Sequence, residues 1–424
     1  MSTEKTAKKA DKKAAKQAAD LALGYPSAPD RGEQPALMEP MRIGAGSRHR
    51  DALTDLAVEL AARAASFQRS LPEGVLDALA DLVRAMNCYY SNLIEGHDTH
   101  PIDIERALNA DYSADSDKRN LQLEARAHIA VQQWIDQGGL RGRAFDLDAI
   151  REMHRRFGEL LPDALLLVEN PITGEQSVMT PGALRQRDVR VGQHVPVSPG
   201  ALKRFLERFA AAYAGLGKAE SILAVAAAHH RFLWIHPFLD GNGRVARLMS
   251  QAVLQEQLGT SGIWSIARGL ARQVETYKAH LAACDQPRRN DLDGRGHLSE
   301  EALAALSRFF LETCLDQIAF METLVQPDQL KGRIMQWCED ESRARRLPPK
   351  AGRILEAILY RGQLPRDELP ELLDTSDRNA RRLVAALADQ GVLRSTSSRA
   401  PLRLAFPARL AARWMPGLFP EPAA

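Results

Sequence analysis

One short stretch of this sequence gathers residues that can do chemistry: Ile235-His236-Pro237-Phe238-Leu239-Asp240-Gly241-Asn242-Gly243-Arg244-Val245-Ala246-Arg247. Pro237 and the Gly241-Asn242-Gly243 group predict a tight loop. Val245, Leu248, Met249, Ala252 and Val253 form the apolar stripe of a helix that opens from it. A glycine-rich turn at a helix N-terminus aims unpaired backbone N–H groups at one point, with the helix dipole behind them, which makes an anion site. Arg244 and Arg247 fall on the helix face away from the stripe, and two guanidinium forks beside such a nest suit a polyphosphate. Asp240, in the loop, can hold a hard cation such as Mg²⁺ that bridges phosphate oxygens. His236, with an ordinary pKa of ~6.5, suits a general base near neutral pH. Each residue alone is what packing or a turn would give; the joint arrangement is not. The Walker pattern GxxxxGK[ST] is absent.

The elements that must position this stretch read as mostly helical from about 50 to 325. A helix-like run from Ala219 to Trp234 leads into the loop, and Gly259 ends the helix that leaves it. Upstream, one helix carries Leu53, Leu56, Leu60 and Ala64, and Leu71-Pro72 breaks it. A second carries Val75, Leu76, Leu79, Leu82, Val83, Met86, Tyr90, Leu93 and Ile94, with Gly96 as its stop. Further helices are predicted over 118–137 and 147–161. Residues 162–199 break the pattern with Pro162, Pro171, Gly174, Pro181, Gly182, Gly192, Pro196 and Pro199; Val189, Val191, Val195 and Val197 alternate around Gly192 and predict a hairpin. The polar loop 290–296 does not meet the EF-hand spacing.

Composition narrows the class. The 424 residues, 45% apolar and 26% charged, are those of a globular protein with more than one core. No apolar run approaches the ~18 residues of a membrane span, and no apolar stretch follows the N-terminal lysines as a secretory signal would require. Cys88, Cys284, Cys314 and Cys338 form no CxxC pair, which fits a reducing cytoplasm. The net charge of +2 leaves any question of nucleic acid to local patches. Six lysines at 5, 8, 9, 12, 13 and 16 among alanines predict a disordered basic tail. Pro26, Pro29, Pro35 and Pro40 predict a linker, as does the polar stretch 326–350.

The motif HPFLDGNGRVAR resembles the signature of the Fic family of nucleotidyl transferases, with every defining position filled. The resemblance covers about 50–325 and implies transfer of AMP from ATP, with Mg²⁺, to a protein hydroxyl. By that resemblance His236 deprotonates a Ser, Thr or Tyr acceptor and Asp240 binds Mg²⁺. Gly241, Asn242 and Gly243 cradle the phosphates, Arg244 meets the β-phosphate and Arg247 the γ-phosphate. The segment around Val189, Val191 and Gly192, with Arg185 before it, takes the place of the family's flap, which pairs with the acceptor segment as an added strand. It lacks an aromatic, so acceptor specificity stays open, as does a plain structural hairpin. Ser91-Asn92-Leu93-Ile94-Glu95-Gly96 resembles the family's autoinhibitory motif [ST]xxxE[GN], in which the glutamate pairs with the second arginine of the signature, here Arg247. Ser91 and Glu95, four apart, share a helix face. The same glutamate could instead position water for AMP removal.

Residues 351–408 read as helix, helix, helix, hairpin and resemble a winged helix-turn-helix. The third helix, capped by Asp374 to Ser376, leaves Arg378, Arg381 and Arg382 off its apolar face. Eleven arginines against eight acidic residues over 351–424 admit a DNA-binding face or a protein-contact module. The expected fold is therefore mainly α: a Fic-type helical domain with a β-hairpin flap plus a C-terminal winged helix-turn-helix domain. Its expected domains are 1–40 tail and linker, 41–120 N-terminal helical region with the inhibitory helix, 121–325 catalytic core, 326–350 linker, 351–408 winged helix and 409–424 tail. The expected function is a cytoplasmic, autoinhibited protein adenylyltransferase acting on a target protein or itself, with DNA and a second copy of the chain as further partners and no membrane. The alternatives are a DNA-binding regulator whose Fic unit senses nucleotide, and a Fic enzyme acting mainly in AMP removal.

Overall fold

The computed structural model of the chain describes residues 30–169, 174–260 and 262–420. The lysine-rich tail at 1–20, Pro26, Pro29 and Pro171 lie outside the described residues. The architecture is mainly helical, with two short two-stranded antiparallel sheets among the described residues. In chain order the helices are α1 (Arg50–Arg69), α2 (Glu73–Ile94), α3 (Pro101–Leu108), α4 (Ser116–Asp136) and α5 (Leu147–Gly158); then, after β1 (Leu167–Glu169) and β2 (Gln176–Val178), α6 (Leu202–Tyr213), α7 (Lys218–Ile235), α8 (Asn242–Leu258), α9 (Ile266–Arg272), α10 (Val274–Cys284) and α11 (Glu300–Leu324). The C-terminal part holds α12 (Pro327–Arg343), α13 (Ala351–Arg361), α14 (Leu369–Leu373), α15 (Asp377–Asp389), the strands β3 (Leu393–Arg394) and β4 (Arg403–Leu404), and the short α16 (Ala411–Trp414). No helix among the described residues is long and apolar enough to cross a membrane. The four cysteines are buried and form no disulfide.

The chain forms two compact units. The first takes residues 30–57, 137–257 and 273–310 of the described chain. At its centre runs α7, buried on every side, as its sequence Ile222-Leu-Ala-Val-Ala-Ala-Ala demands. Phe205 and Phe209 of α6 meet Trp234 and Phe232 of α7 with ring centroids 5.8 and 6.3 Å apart. The polar residues on α7 are buried in pairs. His230 Nε2 lies 2.9 Å from Asp285, and Arg231 donates to the carbonyl of Pro40 at 2.9 Å.

Residues 30–40 differ from the expected linker. Pro35–Met38 form a 3₁₀ turn, Ser198 donates its backbone N–H to Glu33 at 2.8 Å, and Arg31 pairs with Asp188 at 2.8 Å. The prolines there shape a strap that follows the unit's surface. The hairpin also differs from expectation. The paired strands are β1 and β2, in register Leu167 with Val178, whereas around Gly192 the chain makes one bridge, Val191 to His194. Gly192, at φ +59, permits that tight turn, and the prolines at 196 and 199 stop the ladder from extending.

The second unit takes residues 58–136, 258–272 and 311–420. Its central element is α2, whose apolar stripe Val75, Leu79, Leu82, Val83 and Met86 is buried. At its N-terminal end Gly74 lies so close to Gly362 that a Cβ there would meet the Gly362 carbonyl at 1.9 Å. The C-terminal elements pack on the same helix: Arg403 of β4 pairs with Asp77 at 2.8 Å, Arg394 of β3 pairs with Asp81, and Tyr90 donates its hydroxyl to the Leu418 carbonyl at 3.0 Å. The stretch expected as a linker at 326–350 is mostly α12. Leu330, Ile334, Trp337 and Cys338 are buried at helical spacing beneath polar residues that face out. The expected tail at 409–424 likewise includes α16, with Trp414 and Leu418 buried; Trp414 meets Trp337 edge-on at 5.2 Å.

Candidate active site

Helix α7 ends at Ile235, and His236 caps it in the left-handed conformation, φ 52 and ψ 61. That reversal carries the chain off the helix axis into Pro237 and on to the turn at Gly241, whose φ of +78 favours glycine. Asn242 then opens α8. Its side-chain oxygen accepts from Phe238 N–H at 3.0 Å and its amide donates to the Phe238 carbonyl at 2.9 Å. The Asn242 side chain therefore staples the loop closed rather than reaching outward. Val245 donates its N–H to the Gly241 carbonyl at 3.0 Å, the first full α-helical bond, so the N–H groups of Asn242, Gly243 and Arg244 have no acceptor within the helix. The first N–H groups of a helix and its dipole favour an anion at that end.

The charged residues are placed by the same helix. Arg244 is buried, with its guanidinium 4.6 Å over the Phe157 ring and donating to Asp240 at 3.0 Å. Arg247, one turn apart on α8, is also buried. The Asp240 side chain is 49% exposed. Among the described residues no group of three or more His, Cys, Asp or Glu could enclose a metal by itself. One half-exposed carboxylate, shared with Arg244, at the start of a helix is a donor that Mg²⁺ accepts, since that ion takes one or two protein carboxylates together with phosphate oxygens and water.

His236 Nδ1 lies 3.3 Å from the Leu233 carbonyl. A carbonyl only accepts, so Nδ1 carries the proton and Nε2 is the basic nitrogen. Burial pushes the imidazole down to about 4, with the Arg185 charge adding to the effect, so the ring is neutral near pH 7.

Three residues that buttress this loop were not legible as site residues. Arg185, expected only as part of the flap, is 3% exposed. Its Nε donates to the His236 carbonyl at 2.8 Å, its Nη1 to the Arg187 carbonyl at 2.9 Å, and its backbone N–H to the Pro237 carbonyl at 2.9 Å. One guanidinium thus braces the chain on both sides of the flap. His194, in the flap turn, lies 2.8 Å from the Trp234 carbonyl. His154 of α5 stacks on Phe238 at 3.9 Å. Its only sequence signal is a histidine placed on the apolar stripe Ile150, Met153, Phe157.

The other residues singled out in the sequence fall elsewhere. In the flap segment Val191 and Gly192 are exposed and Val189 is half-buried. In the second unit, Ser91 is buried in the last turn of α2 and Glu95 is its exposed C-cap. Gly96, at φ +88, closes that end: Gly96 donates to the Leu93 carbonyl at 3.0 Å and His97 to the Asn92 carbonyl at 2.9 Å, a Schellman arrangement. Arg378, Arg381 and Arg382 are exposed on α15, which Ser376 caps through the Asn379 N–H.

Comparison with known proteins gives three findings. Residues 144–254 match the Fic/DOC family model. Among curated relatives, the chain is 29% identical over 169 residues to a protein adenylyltransferase Fic of Drosophila grimshawi, covering 39% of this chain and 32% of the relative. It is 28% identical over 193 residues to one of Nematostella vectensis, covering 44% and 41%. The chain thus spans 32% and 41% of the length of these two relatives. Similar solved structures include a Fic family protein from Desulfovibrio desulfuricans G20, 16% identical, with 86% of this chain and 98% of that one covered at a TM-score of 0.49. They also include Fic-1 from C. elegans, 17% identical, with 65% and 73% covered at a TM-score of 0.49. The glycine turn, the two arginines of α8 and His236 all lie inside residues 144–254, the segment that matches the Fic/DOC family model.

Proposed function

We propose that the protein is a Fic-type protein adenylyltransferase, taking AMP from ATP and attaching it to a Ser, Thr or Tyr hydroxyl of a target protein or of itself. The observation that carries this reading is the His236 tautomer. A neutral imidazole with Nδ1 bonded to its own helix offers Nε2 as a base, one loop away from a helix N-terminus suited to phosphate. In this mechanism Nε2 takes the acceptor's proton as the hydroxyl oxygen attacks the α-phosphorus. The bond to the β-phosphate's bridging oxygen breaks, and pyrophosphate leaves. The N–H groups at the start of α8, with Arg244 and Arg247, hold the β- and γ-phosphates and neutralise charge on the leaving group. Asp240 would hold Mg²⁺, which when bound screens the phosphate oxygens from the incoming nucleophile. The resemblance of residues 91–96 supports a brake in which Glu95 competes with the γ-phosphate for Arg247. Incubating the protein with α-labelled ATP and Mg²⁺ tests the reading: label should appear on protein and pyrophosphate should be released. Label reaching protein from γ-labelled but not from α-labelled ATP, or none on protein even without the Glu95 carboxylate, would refute it.

A second reading concerns residues 351–404. The exposure of Arg378, Arg381 and Arg382 together on the capped helix α15, followed by the β3–β4 hairpin, supports a winged helix that lays α15 against duplex DNA.

A further inference from the structure

We propose that His154 is the positioning residue of the phosphate-binding turn: bonded to Gly182 on one side and to Asp240 on the other, and stacked on Phe238, it fixes where the Asp240–Gly241 turn sits and therefore where cation and nucleotide are held.

His154 belongs to α5, outside the loop it supports. Gly182 donates its N–H to His154 Nδ1 at 2.8 Å, so Nδ1 is unprotonated and Nε2 carries the hydrogen. Nε2 then donates to the Asp240 carbonyl at 3.1 Å. The ring lies nearly parallel to Phe238, 3.9 Å away at 10°. A Cβ on Gly241 would stand 3.5 Å from His154 Cδ2, so the imidazole forms the roof of the turn. The platform under it is rigid. Arg151 donates to the Gly182 carbonyl at 2.9 Å, and Gly158 lets Pro181 approach so closely that a Cβ there would meet its ring at 2.8 Å. One helical turn on, Phe157 carries the Arg244 guanidinium. Helix α5 therefore sets both the turn and the first arginine behind it, and His154 is the member whose two hydrogen bonds give the turn its position. A side chain that merely filled this space would need the ring and its stacking but neither nitrogen.

This inference rests on the adenylyltransferase reading. The test uses the full chain and four variants: His154→Phe, which keeps the stack and loses both hydrogen bonds; His154→Gln, whose amide reaches the Asp240 carbonyl; His154→Asn, which can accept from Gly182 but not reach Asp240; and Asp240→Ala. Calorimetry measures ATP affinity with and without Mg²⁺, and labelled transfer gives kcat and KM, all per folded protein. For His154→Phe and His154→Asn the gain in ATP affinity on adding Mg²⁺ should fall at least about tenfold. Their kcat should drop by about one to two orders of magnitude with little change in acceptor KM. His154→Gln should recover most of both. Adding His154→Phe to Asp240→Ala should cost no further Mg²⁺ gain, because both act through one site. If His154→Phe does not fold, His154→Asn is read in its place. The proposal is overturned if the Mg²⁺ gain and kcat survive in the folded Phe and Asn variants, or if the Gln variant falls as far as they do. A parent protein that neither binds ATP nor transfers label refutes the adenylyltransferase reading itself; a competent parent with unaffected variants refutes only the role of His154.

Discussion

His236 and Leu233 sit one turn apart at the end of a single helix, and the 3.3 Å between the imidazole Nδ1 and the Leu233 carbonyl ties the tautomer of the first to the backbone of the second. The left-handed cap at His236 makes this possible, because it swings the ring back along the helix it has just left. The backbone reversal and the orientation of the base are therefore one feature.

Replacing His236 with Ala should remove transfer while leaving ATP held. The phosphate-binding groups lie on α8 and do not depend on the ring, so ATP affinity by calorimetry should change by less than about threefold, while labelled transfer falls by about 10²-fold or more. Transfer persisting at the parental rate would assign the proton to another group.

Replacing Glu95 with Gly should raise transfer, most visibly as self-labelling, by about tenfold or more, because the proposed competitor for Arg247 is gone. Combining it with Arg247→Ala should cancel the gain. Equal self-labelling by the parent and by Glu95→Gly across a range of ATP concentrations would remove the brake from the scheme.

Acid should act on activity and on stability in the same direction but through different histidines. The ring of His236 is neutral above about pH 4, so kcat/KM should be flat from about pH 6 to 8 and fall only as pH drops below about 5. In the core, burial pushes His229 down to about 3, with Arg247 reinforcing the shift. It pushes His230 to about 4 even though Asp285 pulls the other way. Their unfolded counterparts take up a proton near pH ~6.5, so between these values the unfolded chain binds more protons and stability rises with pH. On acidification from about pH 6.5 to 4 the protein should lose stability on the order of several kcal/mol, read as a falling Tm. Asp30, held at about 2 by Arg204, adds its own loss only below about pH 4. A Tm unchanged from pH 7 to 4.5 would contradict the neutral state of the buried pair.

If α15 reads duplex DNA, binding should weaken steeply with salt, and replacing Arg378, Arg381 and Arg382 together with Ala should flatten that slope by roughly three phosphate charges. The comparison should use a chain begun near residue 30, which removes the lysine-rich segment and keeps the strap. Gel shifts that are identical for parent and triple variant would assign α15 to protein contact.

Much of the local structure was legible because it is written in short-range patterns. The stripe from Val75 to Ile94 with Gly96 behind it gave α2 and its end, and Gly241 with the stripe from Val245 to Val253 gave the turn and α8. What could not be read depends on partners far away in sequence. The proline strap at 30–40 looks like a linker until Asp188, Ser198 and Arg204 are beside it. Helix α12 looks like a linker because its polar residues outnumber its four buried apolar ones. Arg185 and His154 carry no local mark of their work: one is an arginine in an irregular segment, the other a histidine on an apolar stripe. Their role follows from the carbonyls they meet 51 and 86 residues later.

The carbonyl of Leu418 accepts from Tyr90, that of Gly417 accepts from Arg268 at 2.8 Å, and Phe419 meets Tyr89 edge-on at 5.7 Å. The last described residues therefore grip the helix turn that immediately precedes Ser91. Proteolytic clipping between Trp414 and Leu418, or a fusion tag that pulls on that segment, should be felt at residues 91–95 as loosened packing. Under the proposed Glu95 brake, a shortened preparation would then differ in self-labelling even though every residue of the 236–247 segment remained intact.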